Sequence, residues 1–122
     1  MTVCIRGATT AQNTKEDILF STKELLECII DTNKVEKEDI ISIIFTATKD
    51  LNKVYPAIAA RELGITQGSL MCVQEMEVEG SMLKCIRLAM TVENEKKQSQ
   101  VKHIYLKGAK ILRPDITMQE EK

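Results

Sequence analysis

Of the 17 basic residues in this 122-residue sequence, four are arginines: Arg6, Arg61, Arg87 and Arg113. Most of the lysines fall in polar connections or on the exposed side of the first helical segment. Arg6 and Arg87 instead lie in β-branched, apolar runs, and Arg61 and Arg113 follow apolar segments. A guanidinium presents a planar fork of donors that matches carboxylates and phosphates better than an ammonium does. In "KCIRLAMTV", a period of two sets Cys85, Arg87, Ala89 and Thr91 on one face and Ile86, Leu88, Met90 and Val92 on the other. Small neighbours leave space beside Arg87, and a partly buried guanidinium without acceptors would leave its desolvation uncompensated. Two acceptors fit the spacing equally: a bound anion, or an internal ion pair with Glu75 from the preceding strand. Arg6, beside Cys4 and before a predicted turn at Gly7, favours the anion. The glycines at 7, 64, 68, 80 and 108 are isolated and start no phosphate loop, so carboxylates are the better ligand class.

Glu75 interrupts the apolar run of "SLMCVQEMEVEG"; taken alone, such a charge reads as a solvent-facing rim position. Nucleophilic catalysis finds no support, because the lone His103 sits in "VKHIY" with no Ser or Cys beside it. Cys4, Cys28, Cys72 and Cys85 form no C-x-x-C pair, so no metal site or redox motif has its ligands, and each thiol reads as a small, reduced core residue. A net charge of −1 gives no positive field for nucleic acid, and two Phe, two Tyr and no Trp give no base-stacking platform. No apolar run approaches the roughly 20 residues of a membrane span, and "MTVCIRGATT" lacks the regions of a secretory signal, so a cytoplasmic location is expected.

The elements that must carry these residues follow from periodicity. "TVCIR" predicts a first strand over 2–6, ended by Gly7. "NTKEDILFSTKELLECIIDTN" predicts a helix capped by Asn13 or Thr14, with Ile18, Thr22, Leu25 and Ile29 facing the core beside Leu26 and Ile30. Residues 40–47, "IISIIFTA", predict a central strand. "YPAIAARELG" predicts a short helix with Pro56 at its first position and Gly64 just beyond its end. Strands over 69–76, 84–92 and 101–112 follow, with a solvated "ENEKKQSQ" connection and a bulge at Gly108 in the last. The expected fold is α/β (α+β): a mixed five-stranded sheet with two main helices, as one domain over residues 1–115 with a flexible C-terminal tail over 116–122. Two helices cannot cover both faces of five strands, so an oligomer using the open face is expected.

Together, "IRGATT", "YPAIAARELG", "CVQEM", "KCIRLAMTV" and "HIYLKGAKILRPD" resemble the AroH-class monofunctional chorismate mutases, the trimeric Bacillus-type family, over residues 2–115. The resemblance implies a homotrimeric pseudo-α/β-barrel with active sites at subunit interfaces. It implies the pericyclic rearrangement of chorismate to prephenate in phenylalanine and tyrosine biosynthesis, with no cofactor, metal or covalent intermediate.

Carried over by the same resemblance, Arg87 is the central group at the ether oxygen, and Glu75 accepts a hydrogen bond from the ring hydroxyl with Cys72 close by. Arg6 and Tyr105 hold a substrate carboxylate, Arg61 and Arg113 stand at the mouth, and main-chain groups of Met71, Val73 and Gln74 line the site. Tyr55, Ala57 and Leu112 form the apolar wall. Strict alternation sends Cys72 and Glu75 to opposite faces, so both reach one substrate only if the strand ends, twists or bulges within "CVQE". Ile58 stands where the Bacillus enzyme has lysine, and Met71 replaces a smaller residue. The competing function is a noncatalytic trimer that binds a small carboxylated metabolite through the same arginines.

Overall fold

The first strand, β1, runs through Gly7 without a break, from Thr2 to Thr10. The turn expected at Gly7 is absent, and Arg6 therefore lies mid-strand rather than at a strand end. The glycine is there for packing: a Cβ at Gly7 would lie 2.7 Å from Ile29 Cδ1 and 3.1 Å from Leu25 Cδ1. It lets the first helix, α1, settle directly onto the strand. The computed structural model describes residues 1–112, so Arg113 and the 116–122 tail lie outside the described residues.

Helix α1 spans Lys15–Asn33. Thr14 caps it, its Oγ1 accepting from Asp17 N at 3.0 Å, and the Asp17 carboxylate in turn accepts from Gln12 N. Its apolar stripe of Ile18, Leu25, Leu26 and Ile29 is fully buried, each such side chain contributing on the order of 1.5–3 kcal/mol. At its far end Asn33 is buried and hydrogen-bonded on both sides, donating to Ile29 O and Lys102 O and accepting from Lys102 N. That clasp fixes where the later chain meets the sheet.

Strand β2 (Ile40–Ala47) precedes a short helix, α2 (Ala57–Glu62). Pro56 leads into α2 with helical dihedrals, and Gly64, at φ 88°, follows its end in the left-handed region that glycine adopts without strain. Strand β3 covers Ser69–Gln74 and β4 covers Cys85–Glu93. The expected long fifth strand is a correction: β5 is only Ile104–Tyr105, and Lys107–Leu112 coils into a 3-10 helix, with Gly108 inside that helix and not at a bulge.

The shortening of β5 leaves the outer edge of β1 to side chains. Gln98 Oε1 accepts from Cys4 N at 2.8 Å and its Nε2 donates to Cys4 O at 2.6 Å; His103 Nδ1 accepts from Arg6 N at 2.9 Å. A strand edge needs partners for its backbone groups, and here two side chains supply them.

The sheet order is β3-β2-β4-β1-β5, with β2–β3 and β1–β5 parallel and β4 antiparallel to both neighbours, so the sheet is mixed as expected. Helices α1 and α2 cover one face, over a core that includes Ile5, Ile43, Phe45, Leu88 and Met90. The other face carries the alternate residues; among the described residues neither α1 nor α2 lies over it, and the 3-10 helix Lys107–Leu112 covers its β1 end, where Ala109 packs on Ala8. Ile44 (44% exposed), Met71 (56%) and Val73 (42%) stand there against water.

Candidate active site

Registers decide which predicted residues meet. Across β1 and β4, Arg6 opposes Ala89 and Ala8 opposes Arg87. Thr46 of β2 opposes Arg87 on one side and Val73 of β3 on the other, and Tyr105 pairs with Ala8. All of these side chains therefore belong to the open face. Glu75, two residues beyond Val73 and just past the end of β3, keeps the alternation and joins them; its backbone N–H still donates to Ala47 O at 2.9 Å. Arg6, Glu75, Arg87 and Tyr105 line one pocket of about 230 Å³, floored by Ile44, Thr46 and Ala89.

Within it, Glu75 Oε2 lies 3.0 Å from Arg87 Nε. The distance makes an ion pair, yet the oxygen is off the N–H axis, and this buried Nε–H has no directed hydrogen bond among the described residues. Both sequence alternatives for Arg87 are thus partly present: an internal carboxylate neutralises the charge at the buried Nε, while about a third of the side chain stays exposed on the pocket that a ligand would enter. The same Glu75 oxygen accepts from Thr46 Oγ1 at 2.8 Å. Sequence reading did not single out Thr46, because no local spacing connects positions 46, 75 and 87. Tyr105 is buried against Ala8 and Ala109, with Leu112 packed beside them. His103, through its bond to Arg6 N, braces the strand that carries Arg6.

A second group of sequence candidates lies elsewhere. Cys72 opposes Phe45 and so points to the helix face, opposite to Glu75; β3 reaches neither residue by a bulge but ends between them. Burial raises the Cys72 thiol above its ordinary pKa, against smaller lowering influences from the Ala57 backbone and the Arg61 charge, which places it beside α2. Ala57 is buried in the core, Arg61 is exposed, and Tyr55 is 71% exposed. Tyr55, Cys72, Val73 and Gln74 border a larger hollow of about 580 Å³ along the β3 edge. That hollow contains none of the four open-face residues. The larger hollow is lined by Lys49 and Lys53, whereas the two arginines of the open face converge with Glu75 in the smaller pocket. At about 230 Å³ that pocket is smaller than the roughly 300 Å³ at which ligand sites usually begin.

The family model for chorismate mutase type I matches residues 2–116. Among curated proteins, chorismate mutase AroH of Bacillus subtilis (strain 168) is 47% identical over 116 residues, covering 93% of this chain and 91% of that protein. Chorismate mutase AroH of Thermus thermophilus is 38% identical over 114 residues, covering 92% and 93%. Among solved structures, a chorismate mutase from Clostridium thermocellum superposes with a TM-score of 0.87 at 50% identity, over 88% of this chain and 97% of that one.

Proposed function

The chain belongs to the type I chorismate mutases, and from that premise we propose that its open sheet face is the wall on which chorismate rearranges to prephenate, with Arg87 as the group that stabilises the transition state. The observation that carries the assignment is the convergence of Arg6, Glu75, Arg87 and Tyr105 on one pocket, with the Arg87 guanidinium held there by Glu75. The reaction is one concerted step. The ether C–O bond breaks as a C–C bond forms, and negative charge gathers on the ether oxygen. A fixed guanidinium aimed there binds the transition state more tightly than the ground state. Arg6 and Tyr105 hold a substrate carboxylate, and Glu75 accepts from the ring hydroxyl as an anchor, not as a base. Held folded by these contacts, the side chain of chorismate also starts close to the reacting geometry. Prephenate formation places the enzyme in aromatic amino acid biosynthesis.

The remaining candidates enter from a neighbouring subunit. In one chain Tyr55, Arg61 and Cys72 lie on the far side of β3 from Arg87, whereas a homotrimer would set the β3–α2 edge of one subunit against the open face of the next. The exposed Ile44, Met71 and Val73 support this, because apolar side chains left on a sheet face gain by burial in an interface. Main-chain groups of residues 71–74 would then line the closed site. No helix among the described residues is long and apolar enough to cross a membrane, and we place the enzyme in the cytoplasm.

The test is direct. Purified protein is mixed with chorismate, the loss of diene absorbance is followed, and prephenate is identified by acid conversion to phenylpyruvate. Saturable turnover that disappears in Arg87→Ala supports the assignment; a folded protein without turnover overturns it.

A further inference from the structure

Thr46 stands on β2 between the two strands that bring Arg87 and Glu75 together, opposing Arg87 on β4 and Val73 on β3. Its hydroxyl donates to Glu75 Oε2 at 2.8 Å, and the same oxygen lies 3.0 Å from Arg87 Nε. Both contacts therefore fall on one carboxylate oxygen. An unrestrained carboxylate beside a guanidinium tends to turn until both oxygens face two parallel N–H donors. That arrangement would occupy the donor fork of Arg87 and both oxygens of Glu75 at once. A β-branched residue has restricted χ1, so a threonine hydroxyl rooted in the central strand is a stiff tether.

We propose that Thr46 is a positioning residue of the site: by pinning Glu75 Oε2 it reserves Oε1 for the substrate hydroxyl and keeps Glu75 from closing onto the fork of Arg87. This rests on the assignment of the open face as the place of the rearrangement. Thr46 acts through Glu75 and touches no reacting atom. A hydroxyl at this position is the requirement, so serine is an adequate replacement and valine, of nearly the same shape, is not.

Steady-state kinetics and thermal melts of Thr46→Val and Thr46→Ser test the assignment. Thr46→Val is expected to lose about tenfold or more in kcat/KM, with a fall in kcat and no comparable fall in Tm, while Thr46→Ser restores both. In a Glu75→Ala background, Thr46→Val is expected to add less than about a twofold loss, because its only route to the substrate has been removed. Unchanged kcat and KM in Thr46→Val, or a full multiplicative loss in the double variant, overturns the role. If Thr46→Val does not fold, Thr46→Ala carries the same comparison. Arg87→Ala is measured alongside: normal turnover there overturns the site assignment itself, whereas an inactive Arg87→Ala with a normal Thr46→Val overturns Thr46 alone.

Discussion

Arg6 and Arg87 are diagonal neighbours on the open face of the β1–β4 ladder, each with an alanine directly across from it, Ala89 and Ala8. Diagonal positions in an antiparallel pair stand about 7–8 Å apart, within reach of two guanidiniums that share one ligand. Nothing bulky separates them, and their mutual repulsion is relieved when a dianion lies between. Among the described residues Arg87 alone of the two has a carboxylate paired with it, and that carboxylate is itself tethered to Thr46.

Arg87→Lys keeps the charge and loses the planar fork. Losing a preorganised donor at a developing oxyanion costs on the order of a hundredfold or more in kcat. The side chain is about a third exposed, so stability should change little. Stopped-assay kinetics with a melting curve decide it: wild-type turnover in Arg87→Lys would remove Arg87 from the centre of the mechanism.

Gly7→Ala should destabilise the fold by about 1–3 kcal/mol, since overpacking of a filled core costs in that range. The added Cβ would meet Ile29 Cδ1 at 2.7 Å, Leu25 Cδ1 at 3.1 Å and the Ile104 carbonyl at 3.3 Å, so the Ile29 and Leu25 side chains must repack within a filled core. Urea unfolding monitored by circular dichroism gives the number. A midpoint equal to wild type would mean that α1 is not seated on Gly7.

Ile44→Glu puts a charge in the middle of the exposed apolar strip of β2 and β3. The charge costs nothing in an isolated chain, where Ile44 already meets water, but is expensive to bury between subunits. Sedimentation should show the assembly falling to single chains with secondary structure kept; turnover is no readout here, because Ile44 also floors the arginine pocket. An intact trimer would show that this strip is not the interface.

Burial raises the thiols of Cys72 and Cys85 above their ordinary value of 9.0, with Arg87 offsetting part of the rise at Cys85. The folded protein then keeps these protons at a pH where the unfolded chain has released them. Stability from this source is whole below about pH 9 and is lost as pH rises through the folded-state values. Urea midpoints measured from pH 7 to 10.5 should decline above pH 9, and the decline should be shallower in Cys72→Ala/Cys85→Ala. An identical slope in the double variant would assign the loss to other groups.

Local chemistry in the sequence was enough to narrow the α1 cap to Asn13 or Thr14, to place Pro56 and Gly64 at the ends of α2, and to give the buried stripe of α1 and the shared face of Arg87, Ala89 and Thr91. Each of these depends on residues within a turn or a strand of one another, where periodicity and capping act directly. The family motifs were equally legible, because they are contiguous. What only the tertiary structure decided is long-range. Gly7 reads as a turn until α1 is seen to rest on it, and the fifth strand reads as long until Gln98 and His103 are found filling the edge of β1. The sequence could state that Cys72 and Glu75 diverge, but not that Glu75 joins Arg87 across an intervening strand with Thr46 beneath. Strand order and register are set by which faces bury best against the helices, a property of the assembled sheet that no spacing between positions 46, 75 and 87 encodes.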